Sequence, residues 1–443
     1  MKIYLTGTFS TVLKNVAYPR LLPSLVLCAA FLASPLSHAD WPAFRGPHGN
    51  GHAEKTETSS LPLTWSEEDN VTWKIPVPHK GWSTPVVMND QVWLTTATPE
   101  GSDFYAIGID AETGAELFNE LIFHSDNPEP LGNNVNSYAS PSPVIEDGRV
   151  YVHFGTYGTA CIDTKTLKVL WQREDINVRH FRGPGSSLTL FEDLLIVTMD
   201  GVDVQYTIAL NKNTGKNVWK TDRSTVWTDY DEEGNILRDG DFRKAFCTPV
   251  VVDIDGKPVL VSVGASAVFG YAPQTGAEIW KAANDGGYGP AVSPAISGNR
   301  VFFVTGFGGT AVWAVRIDGR GDVSDTHVAW TFEGKHIPDT PSLTVIDDLL
   351  YVLSDDGRLT CLDTATGEEV WMESIRGNYI ASPIYAGGRL YCTSVQGKTV
   401  VVKPGRTFEI LATNELDTGL MASPAVSGST LYLRTKEHLY RIN

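Results

Sequence analysis

The chain has 443 residues with 52 acidic and 35 basic side chains, a formal charge of −17 at neutral pH. A field of that sign opposes nucleic acid and anionic membrane surfaces and favours solubility. The five cysteines include no Cys-x-x-Cys and no adjacent pair, which leaves out a zinc site and a redox dithiol.

Residues 1–39 stand apart. Lys2, Lys14 and Arg20 accompany the apolar run LLPSLVLCAAFLAS, and Ser37-His38-Ala39 offers a small-x-small cleavage site. This is the pattern of a secretory signal peptide and predicts an exported protein, periplasmic or secreted. The run is shorter than the roughly 20 apolar residues of a membrane span, so no transmembrane segment is expected. Leu27 before Cys28 speaks against a lipid anchor. Cleavage removes three positive charges and leaves a still more acidic chain.

Residues 40–70, rich in Gly and Pro, predict an extended coat over the surface of the domain C-terminal to them. Val71–Val77 (VTWKIPV) then reads as a lone outer strand with its own Trp73. From there a unit of about 40 residues recurs to the C-terminus. Thr340–Trp371 shows it plainly. Pro341–Ile346, Leu349–Leu353 and Leu359–Leu362 are separated by Asp347-Asp348 and Asp355-Asp356-Gly357, and an Asp-Thr-Ala-Thr-Gly turn leads to Trp371. Short β-rich runs between Asp/Gly turns are consecutive antiparallel strands, and this period indicates a propeller blade. Eight inner strands start near Trp82, Tyr138, Gly183, Phe246, Val292, Asp339, Ile380 and Met421. The last unit lacks its outer strand, and Val71–Val77 is the strand left over. Residues 71–443 therefore predict an all-β fold, an eight-bladed β-propeller of four-stranded antiparallel blades. The N-terminal strand closes the ring and removes its open edges. Seven blades is the fallback, should the degenerate third unit not form a full blade.

Asp363, Thr366, Gly367 and Trp371 set a spacing repeated by Asp110, Thr113, Gly114 and Phe118, and by Asn211, Thr214, Gly215 and Trp219. Thr275, Gly276 and Trp280 keep all but the first polar residue; Asp163, Thr166 and Trp171 keep all but the glycine. Asp or Asn starts the turn, Gly takes the positive φ that closes it, and Trp is expected to wedge between blades. The Asp-x-x-Thr-Gly-x-x-x-Trp pattern resembles the repeat of the pyrroloquinoline-quinone (PQQ)-like β-propeller family. WPAFRGPHGNG (Trp41–Gly51) is similar to the opening segment of that family's secreted, uncharacterised members. The resemblance covers the chain after residue 40 and implies the propeller fold. It implies no single activity, because the family includes both quinoprotein dehydrogenases and the propeller subunit of the outer-membrane β-barrel assembly machinery. Its dehydrogenases hold the quinone between a Trp and a cap, often an adjacent Cys pair, with Ca²⁺ on Glu, Asn and Asp. This chain has no such pair and no matching ligand motif, so no cofactor and no metal are expected.

Two spacings between inner strands are long, containing His124–Asn136 and Arg223–Ala245. Excess loop on a rigid scaffold is where function is often carried. Loops from each outer strand to the next inner strand share one face, around the channel mouth. They contribute Trp82, Asn136, Tyr138, His180, Arg182, Arg243, Lys244, His336, Asp339 and Tyr379. These loops are near neutral against an acidic chain, which points to an anionic or polyhydroxylated small molecule or oligosaccharide, or to a protein partner. A non-catalytic binding propeller is the leading expectation. The alternative is a lyase-type enzyme on extracellular acidic carbohydrate, with His180, His336, Tyr138 and Tyr379 as acid–base candidates and Arg182 or Arg243 neutralising a carboxylate. A quinone-dependent dehydrogenase ranks below both. Asp229–Ile236 resembles part of a Ca²⁺ loop but reads better as an acidic hairpin, and Arg320-Gly321-Asp322 reads as a turn. Cys161, Cys247, Cys361 and Cys392 read as buried apolar groups, with a Cys361–Cys392 bridge left open.

Overall fold

The computed structural model describes residues 7–8, 40–53, 60–227, 230–237, 240–308 and 311–443. The chain divides into the units Met1–Ser37 and His38–Asn443. The predicted leader lies outside the described residues apart from Gly7 and Thr8, and all the elements named below belong to the second unit. No helix among the described residues is long and apolar enough to cross a membrane.

Among the described residues eight sheets form the blades of a ring, each with four antiparallel strands and one with a short fifth, so the eight-bladed expectation holds. Blade 6 is the unit that the sequence displays most plainly: Thr344–Ile346, Leu349–Leu353, Arg358–Asp363 and Glu369–Ser374. Its second strand is buried throughout, because neighbouring blades cover both faces, whereas its outer strand is half exposed. The degenerate third unit is a complete blade, Thr189–Phe191, Leu194–Asp200, Gln205–Asn211 and Asn217–Asp222. In blade 8 the strands Ala425–Ser427, Thr430–Arg434 and His438–Ile442 are completed by Val71–Pro76. That strand runs antiparallel to the C-terminal one, from Val71 opposite Ile442 to Pro76 opposite His438.

The repeated turn and tryptophan meet between blades rather than within one. Five outer-strand indole N–H groups donate to a carbonyl in the turn of the following blade: Trp73 to Ala111, Trp171 to Lys212, Trp219 to Pro273, Trp330 to Thr364 and Trp371 to Gly405, at 2.9–3.2 Å. In four of these contacts the turn glycine lies flat against the preceding blade's Trp. At Gly276 (φ +72°) a Cβ would come within 2.4 Å of Trp219. Glycine is required there twice over, by the left-handed backbone and by the ring above it. Trp73 makes the same contact across the closure, on Gly114 of blade 1.

Trp280 departs from the expected wedge. It is fully buried, and its indole nitrogen has no hydrogen-bond partner. The next blade lacks the Thr-Gly turn. Its longer connection instead sends Gly321–Asp322 back as a fifth strand, parallel to Trp280 and Lys281. Gly321 and Asp322 of the Arg-Gly-Asp stretch are thus strand rather than turn.

The expected surface coat is corrected in its first half. Trp41 and Val87 exchange backbone hydrogen bonds at blade 1, and the Ile145 amide of blade 2 donates to Pro42. Arg45 donates to Leu343 O (2.7 Å) and Thr344 Oγ1 (3.2 Å) of blade 6, and Gly51 and Ala53 bond Tyr385 of blade 7. Residues 41–53 therefore cross one end of the ring and plug it, with Trp41 fully buried. Arg45 meets only neutral acceptors there, and burial lowers its guanidinium to about 9. Residues 61–67 pack against blade 7, with Leu61 and Trp65 buried and with Trp65 N–H and Leu63 O bonding Asn414. The four cysteines of this unit are free and buried, so Cys361 and Cys392 form no bridge.

Replacing Trp219 by Ala removes the indole bond and the plate on which Gly276 rests. The expected loss is about 3–5 kcal/mol in denaturant unfolding, the range for truncating a packed Trp. Gly276→Ala should also destabilise, because its Cβ meets the same ring. Unchanged midpoints in both variants would refute the interlock.

Candidate functional site

Eight hydroxyls line the channel, one from the start of each inner strand. In seven of the eight residues the backbone N–H donates to the hydroxyl of the neighbour in the next blade. Thr84 donates to Ser142, Ser142 to Ser187, Ser187 to Thr248, Thr248 to Ser293, Ser293 to Ser342, Ser342 to Ser382 and Ser382 to Ser423, all at 2.9–3.2 Å. The Thr84 hydroxyl itself has no partner, so the circle is open between blades 8 and 1. Sequence reasoning missed this belt. Its signal was the adjoining residue, since six of the eight hydroxyls stand immediately before Pro. Proline holds the preceding residue extended and has no N–H of its own to place.

The belt is part of the lining of a cavity of about 660 Å³, which is also walled by Trp82, Phe246, Tyr288, Phe307, Ile380 and Met421 and by Phe44 of the plug. Arg182 and Asp241 are the charged residues on that wall, and they pair with each other at 3.2 Å.

The two long loops build the mouth. His124–Asn136 is pinned through Glu129. Its N–H donates to Tyr157 Oη (3.0 Å), its carbonyl accepts Tyr138 Oη–H (2.9 Å) and its carboxylate accepts the Phe181 N–H (2.9 Å). Arg223 begins the second loop with a buried two-pronged pair to Asp200, and donates to Ser262 Oγ of blade 4 (2.9 Å). Further on, Asp231 accepts the amides of Glu233 and Asn235, which makes the acidic stretch a hairpin as expected. Asp229 lies outside the described residues. Arg243 lies over the rings of Trp227 (4.5 Å) and Tyr230 (5.2 Å), which ties the hairpin to the blade.

The candidate residues do not form one cluster. Asn136 and Arg182 come together at the cavity, where the Asn136 amide donates to the Arg182 carbonyl (2.7 Å). His180 and Lys244 meet at 2.9 Å but are buried beneath the mouth. Burial, helped by Lys244, holds the imidazole well below its usual value, and burial lowers the Lys244 amine to about 7. Asp339 caps the Gly308 amide (2.7 Å) at the cavity edge, and partial burial raises its carboxyl. His336 is on the other side of the mouth and pairs with Asp356 (3.1 Å). Tyr379 is fully buried, its hydroxyl donating to main-chain carbonyls of Ile375 and Arg376, and burial pushes the phenol well up. Tyr138 is likewise buried. Neither phenol faces the channel, because each ring packs between blades. The cations expected to receive an anion are also engaged: Arg182 by Asp241, Arg243 by its two aromatic rings, and Lys244 by His180.

Thr84→Val should be neutral or mildly stabilising, because it replaces a buried unpaired hydroxyl by a methyl of the same shape. Ser187→Ala strips the Ser142 N–H of its acceptor and should cost about 1–3 kcal/mol. Equal effects of the two changes on unfolding midpoints would contradict the belt.

No curated protein matches the chain at the sequence level. Among solved structures, BamB from Moraxella catarrhalis is similar over 84% of this chain and 99% of that one, with a TM-score of 0.57 and 14% identity. Quinohemoprotein alcohol dehydrogenase from Comamonas testosteroni has a TM-score of 0.68 and 13% identity, covering 91% of this chain and 80% of that one. Alcohol dehydrogenase ADHIIG from Pseudomonas putida HK5 has a TM-score of 0.65 with the same identity and coverage. These likenesses establish the fold. The profile of the family described as outer membrane protein assembly factor BamB matches residues 205–443. With that match over more than half its length, the chain belongs to this family of PQQ-like β-propellers.

Proposed function

We propose that this chain is an exported, non-catalytic propeller that holds a protein partner at its loop-bearing mouth, with an apolar segment of the partner seated in the cavity. One observation carries the reading: an apolar cavity opens among exposed hydrophobic side chains. Tyr288 (49% exposed), Phe307 (38%) and Val135 (42%) border it, and Val226 and Leu237 project from the loop beside it. Exposed apolar groups rimmed by polar ones mark interaction sites, and anchors in such pockets supply most of the binding energy. Kinship with an assembly factor supports a scaffold role, and the signal-like leader supports export.

Catalysis is disfavoured by the scattering of His180, His336, Tyr138 and Tyr379 among separate local partners. The wall also suits a calcium-held quinone poorly. A calcium set of Glu, Asn and Asp needs two carboxylates, and among the described residues Asp241 is the one that lines this cavity. Arg182, the cation on the wall, is already neutralised by Asp241 and is poorly placed to meet a cofactor's carboxylates.

The test is site-specific photocrosslinking. A photoreactive residue at Tyr288 should join one defined partner, and a second change, Phe307→Asp, should reduce that adduct at least about tenfold, since a buried anchor is worth about 2 kcal/mol or more. Crosslinking that ignores Phe307→Asp, or that is as strong from Glu368 on an outer turn, would overturn the reading. Turnover of acidic oligosaccharides, or of alcohols with quinone and Ca²⁺, would favour the enzyme alternatives.

A further inference from the structure

His180 Nε2 accepts the backbone N–H of Thr156 at 2.9 Å. A ring nitrogen that accepts carries no proton, so the neutral imidazole holds its proton on Nδ1. That proton points at Lys244 Nζ, 2.9 Å away. An ammonium has three donors and no lone pair to receive it, so the contact closes only when Lys244 is a neutral amine. The ring has little room to turn. Gly155, at φ +62°, lies so close beneath it that a Cβ there would stand 2.1 Å from Nε2. The charged groups facing the pair are Asp241 on the lysine's own loop, Glu129 on the neighbouring loop, and Asp200 and Asp203 of blade 3, with His153 of blade 2 beside the imidazole. Asp200 is held by Arg223 and Asp241 by Arg182. The other neighbour of Nζ is the Phe246 ring, at 4.6 Å.

We propose that Lys244 and His180 form a proton-operated latch on the mouth, closed while the amine is neutral and released when Lys244 takes up a proton. Release would loosen residues 240–246, which carry Asp241 and Phe246 of the cavity wall. The lowered amine places the changeover near neutral pH. The sign follows from linkage. Folded Lys244 titrates below its unfolded value, so its stabilisation is absent below about pH 7 and grows as pH rises toward about 10.5. The latch adds regulation to the mouth proposed above, yet it is tested without a partner, so the two readings fail separately.

Hydrogen–deuterium exchange of the whole chain, corrected for intrinsic rates, reads the latch directly. Between pH 8.5 and pH 6 the amides of residues 240–246 should exchange about tenfold faster, while the blade strands do not change. Lys244→Met should abolish that difference. Should the variant misfold, the ¹⁵Nζ signal of Lys244 in the wild type decides, with a neutral amine expected at pH 8.5. An ammonium at that pH, exchange that does not vary with pH, or a pH response that survives in Lys244→Met would overturn the proposal.

Discussion

An indole lying on the glycine of the next blade's turn is the contact on which the ring depends. A four-stranded sheet on its own leaves two faces and two edges to solvent. Here each blade's central strands are covered by its neighbours, and in four blades the outer strand is fastened by one hydrogen bond and one ring-to-backbone contact. The same contact recurs at the closure, where Trp73 from the N-terminal strand of blade 8 reaches Ala111 and Gly114 of blade 1. The ring closes with the lock used elsewhere around it. Where the turn is lost, after blade 4, the chain supplies a short extra strand instead.

That contact is also why the fold was legible. Asp or Asn, Thr, Gly and Trp at fixed spacing each serve a local purpose, so the pattern is recognisable in five copies even where Phe118, Leu167 or Ala272 departs from it. Strand counting and the leftover strand at Val71 then follow from arithmetic on turns. The plug was not legible. Gly and Pro in residues 41–51 announce an irregular backbone, but nothing local says that Arg45 will be buried against carbonyls of blades 6 and 7, some 300 residues away in sequence. Such a contact belongs to the closed ring, not to the segment.

The site was legible only to the level of the loops. Strand order says which connections share a face, and it placed Asn136, Arg182 and Asp339 at the cavity. It does not say where a side chain points. Tyr138 and Tyr379 open inner strands yet turn between blades, because a large ring fills that gap and a main-chain carbonyl satisfies its hydroxyl. Counting charges along the loops likewise concealed their pairing. Arg182 and Asp241 lie 59 residues apart and cancel on the wall. With those charges cancelled, the exposed Tyr288, Phe307 and Val135 are what favours, among the occupants expected from the sequence, a protein partner over an anion.

The most direct measurement of that claim is fluorescence quenching at Trp82, the tryptophan on the cavity wall. A partner segment carrying a brominated aromatic side chain should quench a component of the emission that Trp82→Phe removes, leaving the remaining eleven tryptophans unaffected. Quenching that survives Trp82→Phe, or that spreads over the outer-strand tryptophans, would place the partner elsewhere and contradict the account.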